Sequence, residues 1–295
     1  MKGPLAITLA ILGALLALGV SYYAFFVQRE HRTETAAPLE PETLLLATAS
    51  GTVEVANPDG AWRPAPPGYK LTARERIRTG DDGTAELRAA DGSMVKLLGG
   101  TEARVDELRR ELKRLHLGAG MVEADVRDDP NRVFEVAFDE GAARTRGAAF
   151  TASSNGDGTA AVAARRGEVI LSARGKEVVI RSGQFSRVLP GAPPETPQPV
   201  PASLFLRVEW PPPTSTRSRL AVSGQTVPGA RVKIGGKWVH VDARGHYRAE
   251  FDEPDGVHEL HVRATDVGGH LVDEKSPRII VDTKTDFKIH PLKWK

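Results

Sequence analysis

The 295-residue chain contains no cysteine. Disulfides, thiolate nucleophiles and cysteine-ligated metal centres are therefore excluded, while the redox compartment is left open. Aromatic residues are scarce, at 6%, and four of them are tryptophan. Charge of either sign is not in excess: 40 Lys and Arg face 38 Asp and Glu, a net of +2. That balance gives no electrostatic case for nucleic acid as a partner. There is no Walker loop, no dinucleotide fingerprint and no Gly-x-Ser-x-Gly elbow. The acids in "TGDDG", Thr79–Gly83, have no matched partner at a defined spacing. No catalytic, cofactor-binding or metal-binding residue is assigned. The chain is expected not to be an enzyme.

What the sequence does have begins at Leu5. "LAITLAILGALLALGVSYYAFFV", Leu5–Val27, runs without a charge and ends in Tyr22, Tyr23, Phe25 and Phe26. As a helix it would reach roughly 34 Å, enough for a ~30 Å hydrocarbon core, with the aromatics at its end as an interfacial belt. A cleaved signal peptide is the alternative, but its apolar core is shorter and ends in small residues. The expectation is a single-pass membrane anchor over residues 1–27, with the bulk of the chain in the periplasm. With no cysteine after the run, a lipoprotein is excluded.

Residues 28–42, "QREHRTETAAPLEPE", have no hydrophobic period and read as a polar tether. "PGAPPETPQPVPA", Pro190–Ala202, holds six prolines and reads as an extended, semi-rigid spacer, with the linker proper at 191–202. It divides two regions, 43–190 and 203–284. A basic tail follows at 285–295.

Both regions read as β. In "TAELRA" the residues Ala85, Leu87 and Ala89 alternate with Glu86 and Arg88, the period of a half-buried strand. "RVFEVAF" places Phe134, Val136 and Phe138 on one face, and short strands with Gly-rich breaks recur throughout. Asp81, Asp82 and Asp91 fall where strands reverse, where an aspartate caps backbone N–H groups. Residues 101–117 are open to two readings. Val105, Leu108, Leu112 and Leu115 have helical spacing, but two strands with a charged turn suit the β neighbourhood better. The second region has seven or eight short strands joined by Gly235-Gly236, Asp242–Gly245, Pro254–Gly256 and Val267–Gly269.

Five of the eight histidines lie in the second region, and a sixth, His290, lies in the basic tail. "HELH", His258–His261, is not a zinc motif: three-residue spacing on a strand sends the rings to opposite faces. "SNGDG", Ser154–Gly158, lacks the alternating ligands of a calcium loop and reads as a hairpin turn. Trp62 reads as a packing residue. Trp210, Trp238 and Trp294 are candidate sugar platforms, and Trp238, in "GKWVHV", reads as exposed.

The order Gly51–Val55, Trp62, Gly68, Leu71, Ile77–Gly80, Ala85–Leu87 and Asp91–Ser93 resembles a FecR domain. Gly120, Phe134–Val136 and "GAARTRGAAF" at Gly141–Phe150 continue the resemblance, and "RTGDDGTAELRAADGS" is its most specific block. It covers about 140 residues and departs from the family at Ala148, where a threonine is usual. It implies an all-β, extracytoplasmic, non-catalytic domain. Founding members signal to a sigma factor through a cytoplasmic domain before the membrane helix, where this sequence has Met1–Pro4. The second region, with "VSGQTVPGARVKIGG" and "VDARGHYRAEF", resembles bacterial immunoglobulin-like modules such as the accessory domain B of glucodextranases.

The fold class expected is thus mainly β: an N-terminal transmembrane helix, an all-β FecR-like domain and an immunoglobulin-like β-sandwich. Three functions follow as alternatives. One is a protein-interaction scaffold or signalling-assembly component with envelope protein partners. Another is a binder of glycan or peptidoglycan. The third is a FecR-type transmembrane signalling regulator lacking its own sigma-factor-binding domain.

Overall fold

The computed structural model describes residues 22–23 and 42–284. All of the expected anchor except Tyr22 and Tyr23, nearly all of the tether, the basic tail and Trp294 lie outside the described residues. The chain divides into a unit Met1–Pro41 and a unit Glu42–Lys295. All the β structure among the described residues belongs to the second.

Residues 44–188 build the first module from two sheets that share long strands. The strands Leu112–Asp125 and Ala160–Ala173 each run 14 residues. The first half of Leu112–Asp125 pairs with Glu102–Leu108 and, in parallel, with Val133–Phe138. Its second half pairs with Met94–Leu97 and Ala148–Ser154. The strand Ala160–Ala173 changes sheets in the same way, meeting Ala148–Ser154 first and then Gly141–Thr145 and Lys176–Arg181. A strand that passes from one sheet to the other makes a corner, and the two inner faces enclose one core. That core is filled by Leu46, Val55, Leu71, Ile77, Leu87, Leu97, Val105, Phe134, Val136, Phe150 and Leu171. The alternation in "TAELRA" is borne out: Ala85, Leu87 and Ala89 are buried.

Residues 101–117 are strands. Glu102–Leu108 and Leu112–Asp125 form an antiparallel hairpin. Arg109 N–H donates to Leu112 O at 2.8 Å, and Leu112 N–H to Arg109 O at 3.3 Å. The helical stripe loses because the core takes every second residue: Ala103, Val105, Lys113, Leu115 and Leu117 are buried.

One of those inward residues is a lysine, and Asp91 meets it. The carboxylate closes the Asp91–Ser93 turn by accepting Ser93 N–H at 2.8 Å. It also accepts Lys113 Nζ at 2.8 Å and lies 3.3 Å from Arg132 Nη1. Lys113 pairs in addition with Glu42 at 3.2 Å, where the described chain begins. Burial alone would push the Asp91 carboxyl up. The hydrogen bonds from Lys113 and Ser93 outweigh it and hold the carboxyl at about 2. A folded-state value below the unfolded one, near 3.9, stabilises the fold above that unfolded value. The contribution is lost as pH falls through the folded value. Asp91→Asn is therefore expected to flatten the loss of stability between about pH 4 and pH 2. Urea midpoints measured across that range check it; an unaltered acid limb would remove Asp91 as its source.

Residues 204–281 form the second module from three short sheets. Leu206–Glu209, Arg219–Thr226 and His246–Asp252 make one. Lys237–Val239, Arg231–Ile234, His261–Thr265 and Leu271–Lys275 make another. Thr214–Ser215, Ile279–Val281 and Gly256–His258 make the third. They surround a separate core of Leu220, Val222, Val232, Ile234, Tyr247, Val262, Ala264, Ile279 and Val281.

The proline-rich segment is not a free spacer. Gln198–Pro199 pairs with Gln184–Val188 as an added edge strand. Glu195 N–H donates to Arg187 O at 2.8 Å, and Val200 N–H to Gly183 O at 2.9 Å. The extended backbone that proline favours is also the one an edge strand needs. Prolines there close the edge, since they offer no further N–H.

Candidate functional site

The two modules meet along a seam, and the "TGDDG" turn is at its centre. Gly83 N–H donates to Gly80 O at 3.0 Å, closing the turn, and Gly100 N–H donates to the same oxygen at 2.8 Å. Position 83 must be glycine: a Cβ there would lie 2.2 Å from Thr52 O. This geometry presents Asp81 outward, toward the hairpin Arg231–Ile234 and Lys237–Val239 of the second module.

The hairpin has two faces of opposite character. In its register Lys233 opposes Trp238 and Val232 opposes Val239. With a period of two, Arg231, Lys233, Trp238 and His240 share one face. The valines and Ile234 turn the other way, Val232 and Ile234 into the second core. The polar face docks on the first module. Trp238 N–H donates to Asp81 Oδ1 at 3.1 Å, and Lys233 Nζ donates to Asp81 O at 2.7 Å. Arg231 Nη2 donates to Gly100 O at 2.9 Å. The Arg231 guanidinium stacks on the Trp238 indole, 3.8 Å from its centroid. Burial draws the Arg231 guanidinium down to about 10, against the opposing pull of Asp81.

Farther along, Ser153 Oγ donates to Gly229 O at 2.7 Å, and Asn155 Nδ2 donates to Val241 O at 3.0 Å. His240 Nε2 lies 3.0 Å from Asp157 Oδ2. Beside these polar contacts is an apolar cluster of Met121, Ala161, Ala163 and Val267, with Leu98, Phe185 and Val200 packed against it. Ala161 and Ala163 point away from the first core. The second module and the proline-rich segment cover them, so this sheet is buried on both faces.

These placements revise several sequence expectations. Asp81 lies in a turn, as expected, but its carboxylate accepts Trp238 N–H of the second module and not a turn N–H, so it anchors that module. Asp82 is exposed, and only Thr52 N–H reaches it, at 3.4 Å. Trp238 is a half-buried seam residue, not an exposed platform. Trp62 is not a core residue: it is half-buried under Arg76 and Arg78, whose guanidinium carbons lie 4.9 and 4.4 Å from its ring centroid. Trp210 packs at the margin of the second core. "SNGDG" is a hairpin turn, with Asn155 Oδ1 accepting the N–H groups of Asp157 and Thr159. His258 is held by Pro254 O and Glu253, whereas His261 lies beside Glu259 and Asp273. Among the described residues no group of three or more His, Cys, Asp or Glu could hold a metal ion.

Residues 75–170 match the family model of the FecR protein, a narrower span than the sequence resemblance suggested. None of the curated proteins gives a match. Among solved structures, the chain is similar to a candidate anti-sigma factor from Parabacteroides distasonis. Identity is 17% and the TM-score 0.39, covering 47% of this chain and 68% of that one. It is also similar to fibronectin(III)-like modules of Clostridium thermocellum CbhA. Here identity is 14% and the TM-score 0.25, over 64% of this chain and 98% of that one.

Proposed function

We propose that this chain, which carries a FecR domain at residues 75–170, is a non-catalytic signalling regulator of the bacterial envelope. In this reading Leu5–Val27 anchors it in the inner membrane, the β modules lie in the periplasm, and it acts by protein contact. The FecR domain carries the reading. The seam adds that the second module presents its surface at a fixed angle to that domain. Docked modules offer a partner one composite surface without the entropy loss of ordering a hinge. The glycan alternative loses support from two of its candidates, because a guanidinium already stacks on Trp238 and Trp210 packs at the margin of the second core.

The test is deletion of the gene with transcript profiling, together with crosslinking of the full chain in intact cells. A reproducible protein partner and a small set of altered transcripts, restored by the wild-type chain, is the expected result. A captured partner with no transcript change would reduce the role to a scaffold. Retention on purified cell wall with neither effect would replace the reading with the glycan one.

A further inference from the structure

We infer that a second copy of this chain pairs with the free edge of the strand Lys176–Arg181, antiparallel, about a twofold axis at Val179. Among the described residues this strand pairs only with Ala160–Ala173. The next stretch of the same edge, Gln184–Val188, is covered by Gln198–Pro199, and that cover ends at the Gln184–Pro199 pair. The hairpin turn decides which backbone groups face the open side. Arg174 and Gly175 have φ of +50° and +73°, a two-residue turn whose flanking residues, Ala173 and Lys176, form a hydrogen-bonded pair. Bonded and non-bonded pairs then alternate along the ladder. Val178 and Ile180 therefore bond to the neighbouring strand, while Glu177, Val179 and Arg181 point N–H and C=O outward. Two contacts agree with this phase. Arg181 N–H donates away from the ladder, to Gln184 Oε1 at 3.0 Å. Glu168, opposite Arg181, turns its carbonyl to the far side, where it accepts Thr145 Oγ1 at 2.8 Å.

A bare edge with β-branched side chains is a template for another strand. Here the side chains of Glu177, Val179 and Arg181 are all exposed, Val179 by 37%. Outward residues must meet outward residues, so a twofold axis can fall on a residue but not between two. With the axis at Val179, Glu177 faces Arg181 of the second copy on both sides, and Val179 faces its own mate. With the axis at Val178 or Ile180, a charged residue faces Val179 and the match is gone. Opposite charges directly across a ladder are favourable, so the strand's own sequence selects one register and one partner. Glu177 already accepts Arg144 Nη2 at 2.7 Å, and Arg181 Nε donates to Glu168 at 3.1 Å. A carboxylate and a guanidinium each have capacity for a second partner, so these pairs would be extended, not broken. The two Val179 residues would exchange two backbone bonds, and each Glu177 N–H would donate to the Arg181 carbonyl opposite. Such an interface is self-complementary and closes at two copies. It does not depend on the signalling role proposed above.

The chain has no cysteine, so Val179→Cys introduces a single thiol at the axis. Facing residues of a hydrogen-bonded antiparallel pair have Cα atoms about 5.5 Å apart, within disulfide reach. Lys176→Cys is the comparison: it is exposed on the same strand, but its mate would lie ~20 Å away. Mild oxidation of the full chain in native membranes should form the Val179→Cys dimer at least about tenfold faster than the Lys176→Cys dimer. Equal rates would overturn the inference, whatever else brings copies together. A Val179→Cys thiol trapped on a different protein in place of its own mate would give the edge to that partner, with the same consequence. Hydrogen exchange of the detergent-solubilised full chain is the second measurement. Exchange at the Glu177 and Val179 amides should slow as protein concentration rises. Val179→Lys keeps an exposed position exposed and sets two ammonium groups across the axis, so it should remove that dependence. Concentration-independent exchange in the wild-type chain would also overturn the pairing.

Discussion

Leu87→Asp is expected to abolish the cooperative unfolding of the first module. Leu87 is 1% exposed at the centre of its strand, directly opposite Leu46 on one side and Val95 on the other. Replacing it removes a leucine's burial, about 2–3 kcal/mol, and leaves a carboxylate against an apolar wall with no cation beside it. The sum is on the order of 5 kcal/mol or more, comparable with the whole stability of a typical domain. Asp82→Ala, five residues away, is the contrast. Asp82 is exposed and makes one long hydrogen bond, so the change should cost less than about 1 kcal/mol. Asp81→Ala should fall between them. It spares the first core but removes the acceptor of Trp238 N–H, while the Asp81 carbonyl keeps Lys233. Urea titration followed by circular dichroism and tryptophan fluorescence separates the three. If Leu87→Asp retains a wild-type midpoint, the assignment of this strand to the core is wrong.

The same residues show what the sequence could and could not disclose. "TAELRA" was legible because one of its faces is polar and the other meets the core. The alternation therefore records burial directly. "AAFTASS" and "TAAVAA" carry no such alternation, because Ala148–Ser154 is buried throughout and Ala161 and Ala163 lie under the second module. A continuous run of small and apolar residues on a strand is the mark of burial on both faces. That run is the signal for the seam that the sequence carries, and it specifies burial on both faces without saying what covers the second one. The hairpin offered a second signal: Arg231, Lys233, Trp238 and His240 fall on one side with period two. The sequence could not say that this side meets Asp81, since the partners are more than 150 residues apart. The proline-rich segment shows the same limit. Its composition specifies an extended backbone, which is what is found, but whether that backbone is solvated or docked depends on the exposed edge at Gln184–Val188.

Gly100→Val is expected to open the seam while leaving both cores folded. Gly100 has φ of +62°, a region that β-branched residues enter at a cost of roughly 1–2 kcal/mol. The larger effect comes from the neighbour. A Cβ at this position would sit 2.2 Å from Trp238 Cδ1 and 2.8 Å from Cγ. The indole cannot step aside cheaply, because Arg231 stacks on it and its own backbone is tied to Asp81. Displacing it gives up the stack, strands the Arg231 charge and loosens the hydrogen bond to Gly100 O. Overpacking against Trp238 costs docking roughly 1–3 kcal/mol, while the backbone strain lowers the stability of the first module whether or not the seam is closed. Gly175→Val separates strain from docking: Gly175 has φ of +73° at a hairpin tip, and nothing lies within 4 Å of a Cβ there. It should lower the stability of the first module slightly and leave the seam closed. Small-angle scattering and hydrogen exchange at residues 119–123 and 229–241 report the outcome. In Gly100→Val the radius of gyration should rise and exchange in both segments should accelerate together, with neither change in Gly175→Val. Adding Trp238→Ala to Gly100→Val should cost less than the two separate losses combined, since the clash is then removed from one side. Unchanged scattering and exchange in Gly100→Val would mean that Trp238 does not hold the modules together. The apolar cluster around Ala161 and Val267 would then be sufficient to dock them without the polar face of the hairpin.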